Sequence, residues 1–516
     1  MSPTRAGPVP SWLPPVCLAI VLYGPAAARA GWLLDDARAL ATHANHGAPW
    51  GEWTHPTYAW SAGDGGHLWR PIPAFLQHLL AMAFGRSPEV FRFANLGLHL
   101  GVIALAAVAA RAWGASPPAS LIVGLVVAAH PSVPEVVGWS SDIFDIALAL
   151  VLVGTLAALR SAASRPPLLA GGVALIGALV ACLCKESALL VAPALAAAAV
   201  AARPAGGAVA GLAAGVGATI AAGLWYTAHA AVTGEPYAGT SGTPLVHVAL
   251  AGLDAVGSVP TLPPRATAMH LFDPAALAAA PAGVVTAIAA GAVAWGLRGD
   301  RPRLSTWVAA CVGAAVLLAP AAVGVPFIGV QASRYVYVPM IWLATLGAAP
   351  LEHLAQGAPR RLVALFVVAV FVAWAPRSAS RIWEYADDAT HFAAELRVEP
   401  TNPYARARLA RVAWSRADTA AQRRVAADAW ALAIEDLPPS LRVPDANVER
   451  WDAAQAAFLS GSPAVALRLA RAVRRDAAPP QLDCLIADSL DALGRHEEAT
   501  TAGAACGPLS GSPRDP

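Results

Sequence analysis

The sequence predicts an all-α chain: a polytopic membrane bundle of about eleven helices followed by a small helical repeat domain. Three observations carry that class. Apolar residues make up 57% of the 516 positions and charged residues only 13%, with a mean hydropathy of +0.53, about half the charge of an ordinary soluble domain. About eleven segments are apolar and long enough to cross roughly 30 Å of hydrocarbon as helices. Beyond residue 380 the composition shifts: arginines and acids rise and apolar residues recur at helical spacing.

The first segment, near 12–29, contains prolines, has an arginine before it and is followed by "AARAG", a plausible signal-peptidase site between Ala30 and Gly31. Cleaved or not, it delivers residue 31 to the non-cytoplasmic side. The loop 31–92 is rich in Trp, His, Gly and Asp, and its "AFLQHLLAMAF" has the pattern of an amphipathic helix lying in a membrane interface. Spans follow near 93–112, 116–131, 143–160, 168–184, 187–203 and 207–228. The stretch 245–260 is shorter and carries His247 and Asp254, so it is expected to be interfacial or re-entrant, lining a cavity. The remaining spans lie near 275–297, 304–322, 335–353 and 361–377.

Orientation follows from arginines in short connections. With the N-terminus inside, Arg111, Arg160, Arg165, Arg203, Arg298, Arg301, Arg303, Arg360 and Arg361 are cytoplasmic. Two cations beside spans fall outside instead: Lys185, the single lysine of the chain, in "CKES", and Arg334 in "QASRYVYVP". The formal net charge of +2 gives no ground for a nucleic-acid partner.

In the tail, 381–516, Gly461 aligns with Gly494 and Ala466 with Ala499, a spacing of 33 residues that resembles degenerate tetratricopeptide repeats. Cys17, Cys182, Cys184 and Cys311 fall in apolar segments and read as small core residues. Cys484 and Cys506 flank the turn at Gly494 and, on an oxidising side of the membrane, are expected to form a disulfide.

Ionisable residues at the outer ends of spans are the candidates for chemistry. Asp35 and Asp36 stand where the chain leaves the first span: either a solvated helix start or a general base for an acceptor hydroxyl. Arg70, in "HLWRPI", is an interfacial anchor or an anion ligand. "HPSVPEVVGWSSDIFD" supplies His130, Glu135, Trp139, Asp142 and Asp145; helix capping accounts well for Asp142 and poorly for Glu135. Lys185 and Glu186 form either a structural ion pair or a phosphate site in which Glu186 holds the ammonium in place, and Arg334 with Tyr335 adds a second outer cation.

In this order, "LDDARAL", "WRPI", "NLGLH" (Asn95 to His99), "HPSVPEVVGW", "CKES" and "SRYVYVP" resemble the multispanning glycosyltransferases of the C superfamily that end in tetratricopeptide repeats, a group that includes the transmembrane and tetratricopeptide repeat-containing O-mannosyltransferases and their bacterial relatives. The resemblance covers essentially the whole chain. It implies a transmembrane transferase domain over 1–380 and a non-cytoplasmic repeat domain over 381–516. It further implies inverting transfer of a sugar, mannose among the candidates, from a polyprenyl-phosphate donor to a hydroxyl on protein or glycan. Asp35 or Asp36 would be the base, Lys185, Arg334 and Arg70 the phosphate ligands, and His130, Glu135, Trp139, Asp142, Asp145, Glu186 and Tyr335 the lining. Similarity to the bacterial relatives implies an inner-membrane protein with the first loop and the tail in the periplasm. Many relatives carry an arginine where this chain has Ile143. No cofactor is firmly implied; paired acids could ligate a divalent metal, but nothing fixes a coordination set. Two other classes account for part of the pattern: a transporter or flippase for a lipid-linked sugar, and a non-catalytic scaffold with a recruiting tail.

Overall fold

The computed structural model describes residues 10–33, 36, 47–59, 67–203, 206–234, 245–261, 270–271, 280–328, 330–437, 446–473 and 481–504. The chain is all-helical, with 21 α-helices among the described residues; the only strands there are two antiparallel pairs of two residues each, Tyr58–Ala59 with His67–Leu68 and His270–Leu271 with Val330–Gln331.

Helices α1 (Leu13–Ala27), α2 (Pro71–Phe84), α3 (Pro88–Ala112), α4 (Pro117–Ala129), the short α5 (Val133–Gly138), α6 (Ile143–Ser161), α7 (Pro167–Cys184), α8 (Ala192–Ala201) and α9 (Gly207–Thr233) come first. They are followed by α10 (Leu245–Thr261), α11 (Ala280–Gly296), α12 (Arg301–Ile328), α13 (Tyr337–Ala355) and α14 (Arg360–Glu384). Proline opens α2, α3, α4 and α7, where its fixed φ is preorganised and its missing N–H leaves nothing unpaired. Each of the eleven apolar segments contains one α-helix among the described residues. Six helical stretches are long and apolar enough to cross a membrane: Pro88–Ala112, Ser140–Ser164, Pro167–Cys184, Gly207–Thr233, Arg301–Pro320 and Arg360–Glu384. Helix α8 has only ten residues because a 3₁₀ turn, Glu186–Leu190, takes up the start of its segment. The stretch 245–260 is a regular helix, α10, packed on α11 and α12 with Asp254 buried.

Contacts between helix termini define two ends of the bundle. At one end the Arg203 guanidinium donates to the Ala162 carbonyl at 2.9 Å and to the Arg165 carbonyl, and Ser116 N–H donates to Glu352 at 2.9 Å. The other end gathers the N-termini of α3, α6, α8 and α13 and the C-termini of α4, α7 and α14, with the Tyr23 hydroxyl of α1 donating to the Ala128 carbonyl of α4 at 2.7 Å.

Small residues line the closest helix contacts, and several large apolar residues face outward. Between α7 and α9 a Cβ added at Gly217 would lie 2.3 Å from the Gly171 carbonyl oxygen, and Ala174, Ala178, Ala214 and Ala221 are fully buried around that contact. Close backbone approach through small residues is how helices associate where no water drives them together. On the outer faces Leu168, Leu212 and Phe366 are 81%, 71% and 71% exposed. Gly217→Ala is expected to destabilise the protein by roughly 1–3 kcal/mol through overpacking, measured as a lower Tm in detergent; an unchanged Tm would mean the two helices do not touch there.

The tail continues as α15 (Asp388–Val398), α16 (Pro403–Ser415), α17 (Ala420–Glu435), α18 (Ala446–Leu459), α19 (Pro463–Arg471), α20 (Leu482–Ala492) and α21 (His496–Gly503), each packed against the next. Gly461 and Gly494, with φ of 80° and 76°, make the same turn in two helix–turn–helix pairs. In each, the residue after the glycine donates back five positions, Ser462 to the Ala457 carbonyl and Arg495 to the Leu490 carbonyl, both at 2.9 Å. Ala466 and Ala499 are buried at the matching positions. Cys484 is buried and disulfide-bonded, Cys17, Cys182, Cys184 and Cys311 are free, and Cys506 lies outside the described residues.

Candidate functional site

The second end of the bundle collects most of the ionisable residues singled out from the sequence. Three ion pairs organise it. Arg70, at the N-cap of α2 with its backbone N–H on Thr57 Oγ1 at 2.8 Å, makes a two-pronged contact to Glu186, with Nε to Oε2 at 2.7 Å and Nη2 to Oε1 at 2.5 Å. Lys185 Nζ reaches both oxygens of Asp145, at 2.7 and 2.6 Å. Arg334 donates to Glu135 from its backbone N–H at 3.1 Å and from Nη1 at 2.9 Å, and its Nε stands 3.9 Å from Asp142.

This pairing corrects one expectation. Glu186 does not hold the ammonium of its neighbour: it accepts from Arg70, while Lys185 turns to Asp145 on α6, because an extended backbone at Lys185 (φ −161°, ψ 134°) sends adjacent side chains to opposite sides. Nor does Asp142 cap α6, since its side chain makes no capping hydrogen bond. It is buried beside Asp145, and Oδ2 has no hydrogen-bond partner among the described residues.

Aromatic rings line the cations. The Arg334 guanidinium lies 4.3 Å from the Trp139 ring centre and 5.2 Å from Tyr335, and Arg70 lies 4.8 Å from Phe144, distances at which the ring quadrupole stabilises a cation. His130 ends α4, where the following proline disfavours continuation; its Nδ1 is 2.8 Å from Ser132 Oγ and its ring meets Trp374 edge-on at 4.9 Å. Ile143 is buried in the first turn of α6. Burial pushes the Glu135 carboxyl above its ordinary range, opposed by Arg334 and Arg381. Burial acts the same way on Glu186, but there Arg70 outweighs it and holds the carboxyl below the usual range.

Of the two acids at the exit of α1, Asp35 lies outside the described residues. Asp36 is buried, and its carboxylate accepts from Leu33 N–H at 3.1 Å on one oxygen and from Ser141 N–H and Oγ, both at 2.8 Å, on the other. A carboxylate holding three donors is a brace between the first loop and the start of α6.

Several residues of this end were not among the candidates for chemistry, although the motif "NLGLH" includes two of them, Asn95 and His99. Arg92, Asn95 and His99 form a fully buried stripe on α3. Arg92 donates to the carbonyls of Gly31 and Ala386 at 2.8 and 3.3 Å, Asn95 to that of Trp139 at 2.9 Å, and His99 Nδ1 lies 2.8 Å from the Tyr337 hydroxyl. Their spacing of three and four in an otherwise apolar span is a signal for an inward polar face. Ser141 and Arg381 carry no such signal, because their partners are distant in sequence. Arg381, in the last turn of α14, donates to the Pro131 carbonyl, Ser333 Oγ and Tyr385 hydroxyl at 3.2, 3.4 and 3.3 Å.

The tail begins against this end, and a buried histidine marks the junction. His391 is held neutral, its pKa pushed down to about 3 by burial and then by Arg381 and Arg408; Glu395 stands 4.0 Å from its Nε2. Because the unfolded chain binds this proton near pH 6.5, the stability contributed by neutral His391 is complete above that pH and is lost as pH falls toward 3, at roughly 1.4 kcal/mol per pH unit. Unfolding midpoints of the wild type and His391→Gln between about pH 5 and pH 7 are expected to diverge, the variant being flatter; parallel curves would refute it.

Among the described residues, no group of three or more His, Cys, Asp or Glu is placed to hold a metal ion. No family model, curated protein or solved structure matches the chain.

Proposed function

We propose that the chain is an integral-membrane glycosyltransferase, crossing the membrane eleven times, that transfers a sugar from a polyprenyl-phosphate donor to a hydroxyl acceptor at its non-cytoplasmic face. One observation carries the reading. Asp36, Arg70, Arg92, Glu135, Asp142, Asp145, Lys185, Glu186, Arg334 and Arg381 come from distant segments yet gather at one end of an apolar bundle. Ionisable groups in such a setting are expensive and are retained where an ion or a charged substrate is handled. The outward-facing Leu168, Leu212 and Phe366 supply a surface suited to lipid, and the arginine-bearing helix ends at the opposite pole fit a cytoplasmic side.

In this reading Arg70, Lys185 and Arg334 are phosphate ligands held in register by carboxylates until the donor arrives. Its phosphate displaces a carboxylate from at least one cation, and the same cations stabilise the charge that develops as the polyprenyl phosphate leaves. The acceptor proton passes to Asp35, since the oxygens of Asp36 are taken by three donors. Acceptor recruitment falls to the tail, whose paired helices we read as degenerate tetratricopeptide repeats, and the partner of Cys484 is assigned to Cys506. By the arginine pattern, the first loop and the tail lie on the non-cytoplasmic side; the resemblance to bacterial relatives makes that side the periplasm of an inner membrane.

Full pairing of the three cations also favours a second reading, a scaffold whose ionic end is purely structural. Transfer of labelled sugar from a set of polyprenyl-phosphate sugars by the purified, detergent-solubilised protein separates the two. Transfer that disappears in Arg334→Ala is expected; a folded protein that uses none of the donors sinks the transferase reading in favour of the scaffold.

A further inference from the structure

We propose that Arg381 is a positioning residue: from the last turn of α14 it sets the geometry of the Glu135–Arg334 pair and couples the mounting of the tail to the ionic end of the bundle. Its functional consequence rests on reading that end as the donor site; its structural consequence does not.

The two partners of the pair come from different connections, Glu135 from α5 and Arg334 from the 3₁₀ turn Ser333–Val336. Arg381 holds both. Nη1 donates to the Pro131 carbonyl, which precedes α5, and Nη2 donates to Ser333 Oγ, the residue before Arg334. The third contact, Nη2 to the Tyr385 hydroxyl, ties the same guanidinium to the residue that leads into the tail. A planar fork with five donors serves three acceptors in fixed directions; the single ammonium of a lysine does not reproduce that. Arg381 is buried, its Nε stands 4.0 Å from Glu384, and its charge acts on Glu135, whose burial it partly compensates.

The segment that follows clamps the same region. A Cβ added at Gly138 would lie 2.7 Å from Tyr385 Cβ, so glycine there is what lets the tail seat on α5. Gly31 N–H donates to the Ala386 carbonyl at 2.7 Å, and Trp139 shares the buried cluster of Tyr385, Phe392 and Tyr404. The start of the tail thus touches the exit of α1 and α5 with its Trp139, while Arg381 reaches the turn that carries Arg334.

Hydrogen exchange read by mass spectrometry on the full-length protein tests this with Arg381→Lys, which keeps the charge, and Tyr385→Phe, which removes only the hydroxyl. In Arg381→Lys, exchange over 131–139 and 332–336 is expected to rise about tenfold, the loss of one charge-assisted hydrogen bond, with residues 111–116 and 160–165 at the opposite end unchanged. Tyr385→Phe is expected to raise exchange mainly at 385–392. In the transfer assay, Arg381→Lys is expected to raise donor KM several-fold with kcat held, the mark of weakened ground-state binding. Wild-type exchange in both segments, or an equal rise across the whole protein, overturns the proposal. If the wild type transfers nothing, the transferase reading fails while the exchange result still decides the structural coupling.

Discussion

Lys185→Ala is expected to destabilise the protein by roughly 3–5 kcal/mol, because it strands a buried carboxylate rather than merely deleting a contact. Lys185 Nζ binds both oxygens of Asp145, and Asp142, also buried, lies alongside. With the lysine gone, two adjacent carboxylates in an apolar surround keep Arg334 as their remaining nearby cation, 3.9 Å from Asp142. Lys185→Arg retains the charge but not the compact head, so a smaller loss is expected. The decisive comparison is Lys185→Ala with Asp145→Asn in one chain. Removing the stranded charge should restore at least half of the lost stability, read as the denaturation midpoint in micelles. If the double variant is as unstable as the sum of the singles, the pair is not coupled and the ionic end is organised by something other than these contacts.

Asp35→Asn and Asp36→Asn are expected to fail in different ways. Asp36 is a structural acceptor for Leu33 and Ser141. An asparagine there must turn its NH₂ toward at least one N–H donor, at a cost of roughly 1–3 kcal/mol for the group left unsatisfied. The expected signature is a lower Tm, with any loss of transfer following the loss of structure. Asp35→Asn removes the proposed base, so the expected signature is native stability with transfer reduced by roughly 10²–10⁴. Full transfer by Asp35→Asn would remove it from the chemistry. Native stability of Asp36→Asn would contradict the brace between the first loop and α6.

Much of the helical framework was legible in the sequence. Each of the eleven apolar runs contains a helix, six of them in stretches long and apolar enough to cross a membrane, with prolines marking several starts. The tail glycines 33 residues apart proved to occupy the same turn, since a positive φ at the end of a helix is a local demand that glycine meets. The acids and cations at these helix ends were legible too, because charge is rare in apolar runs and stands out. Their partners were not. The adjacent Lys185 and Glu186 invited a local pair, but the extended backbone between them turns the lysine to Asp145, 40 positions away, and the glutamate to Arg70, 116 away.

What the sequence by itself determined is therefore what depends on neighbours along the chain: helix positions from apolar runs, helix starts from proline, the tail turns from glycine, and the identity of the residues too polar for their surroundings. Only the tertiary structure decided which charge answers which, that Asp36 serves as a brace, and that Arg381 links Pro131, Ser333 and Tyr385. The reason is physical: hydropathy, helix propensity and turn geometry act over a few residues. Burying a charge instead requires a partner within about 4 Å in space, and helix packing brings that partner from anywhere in the chain.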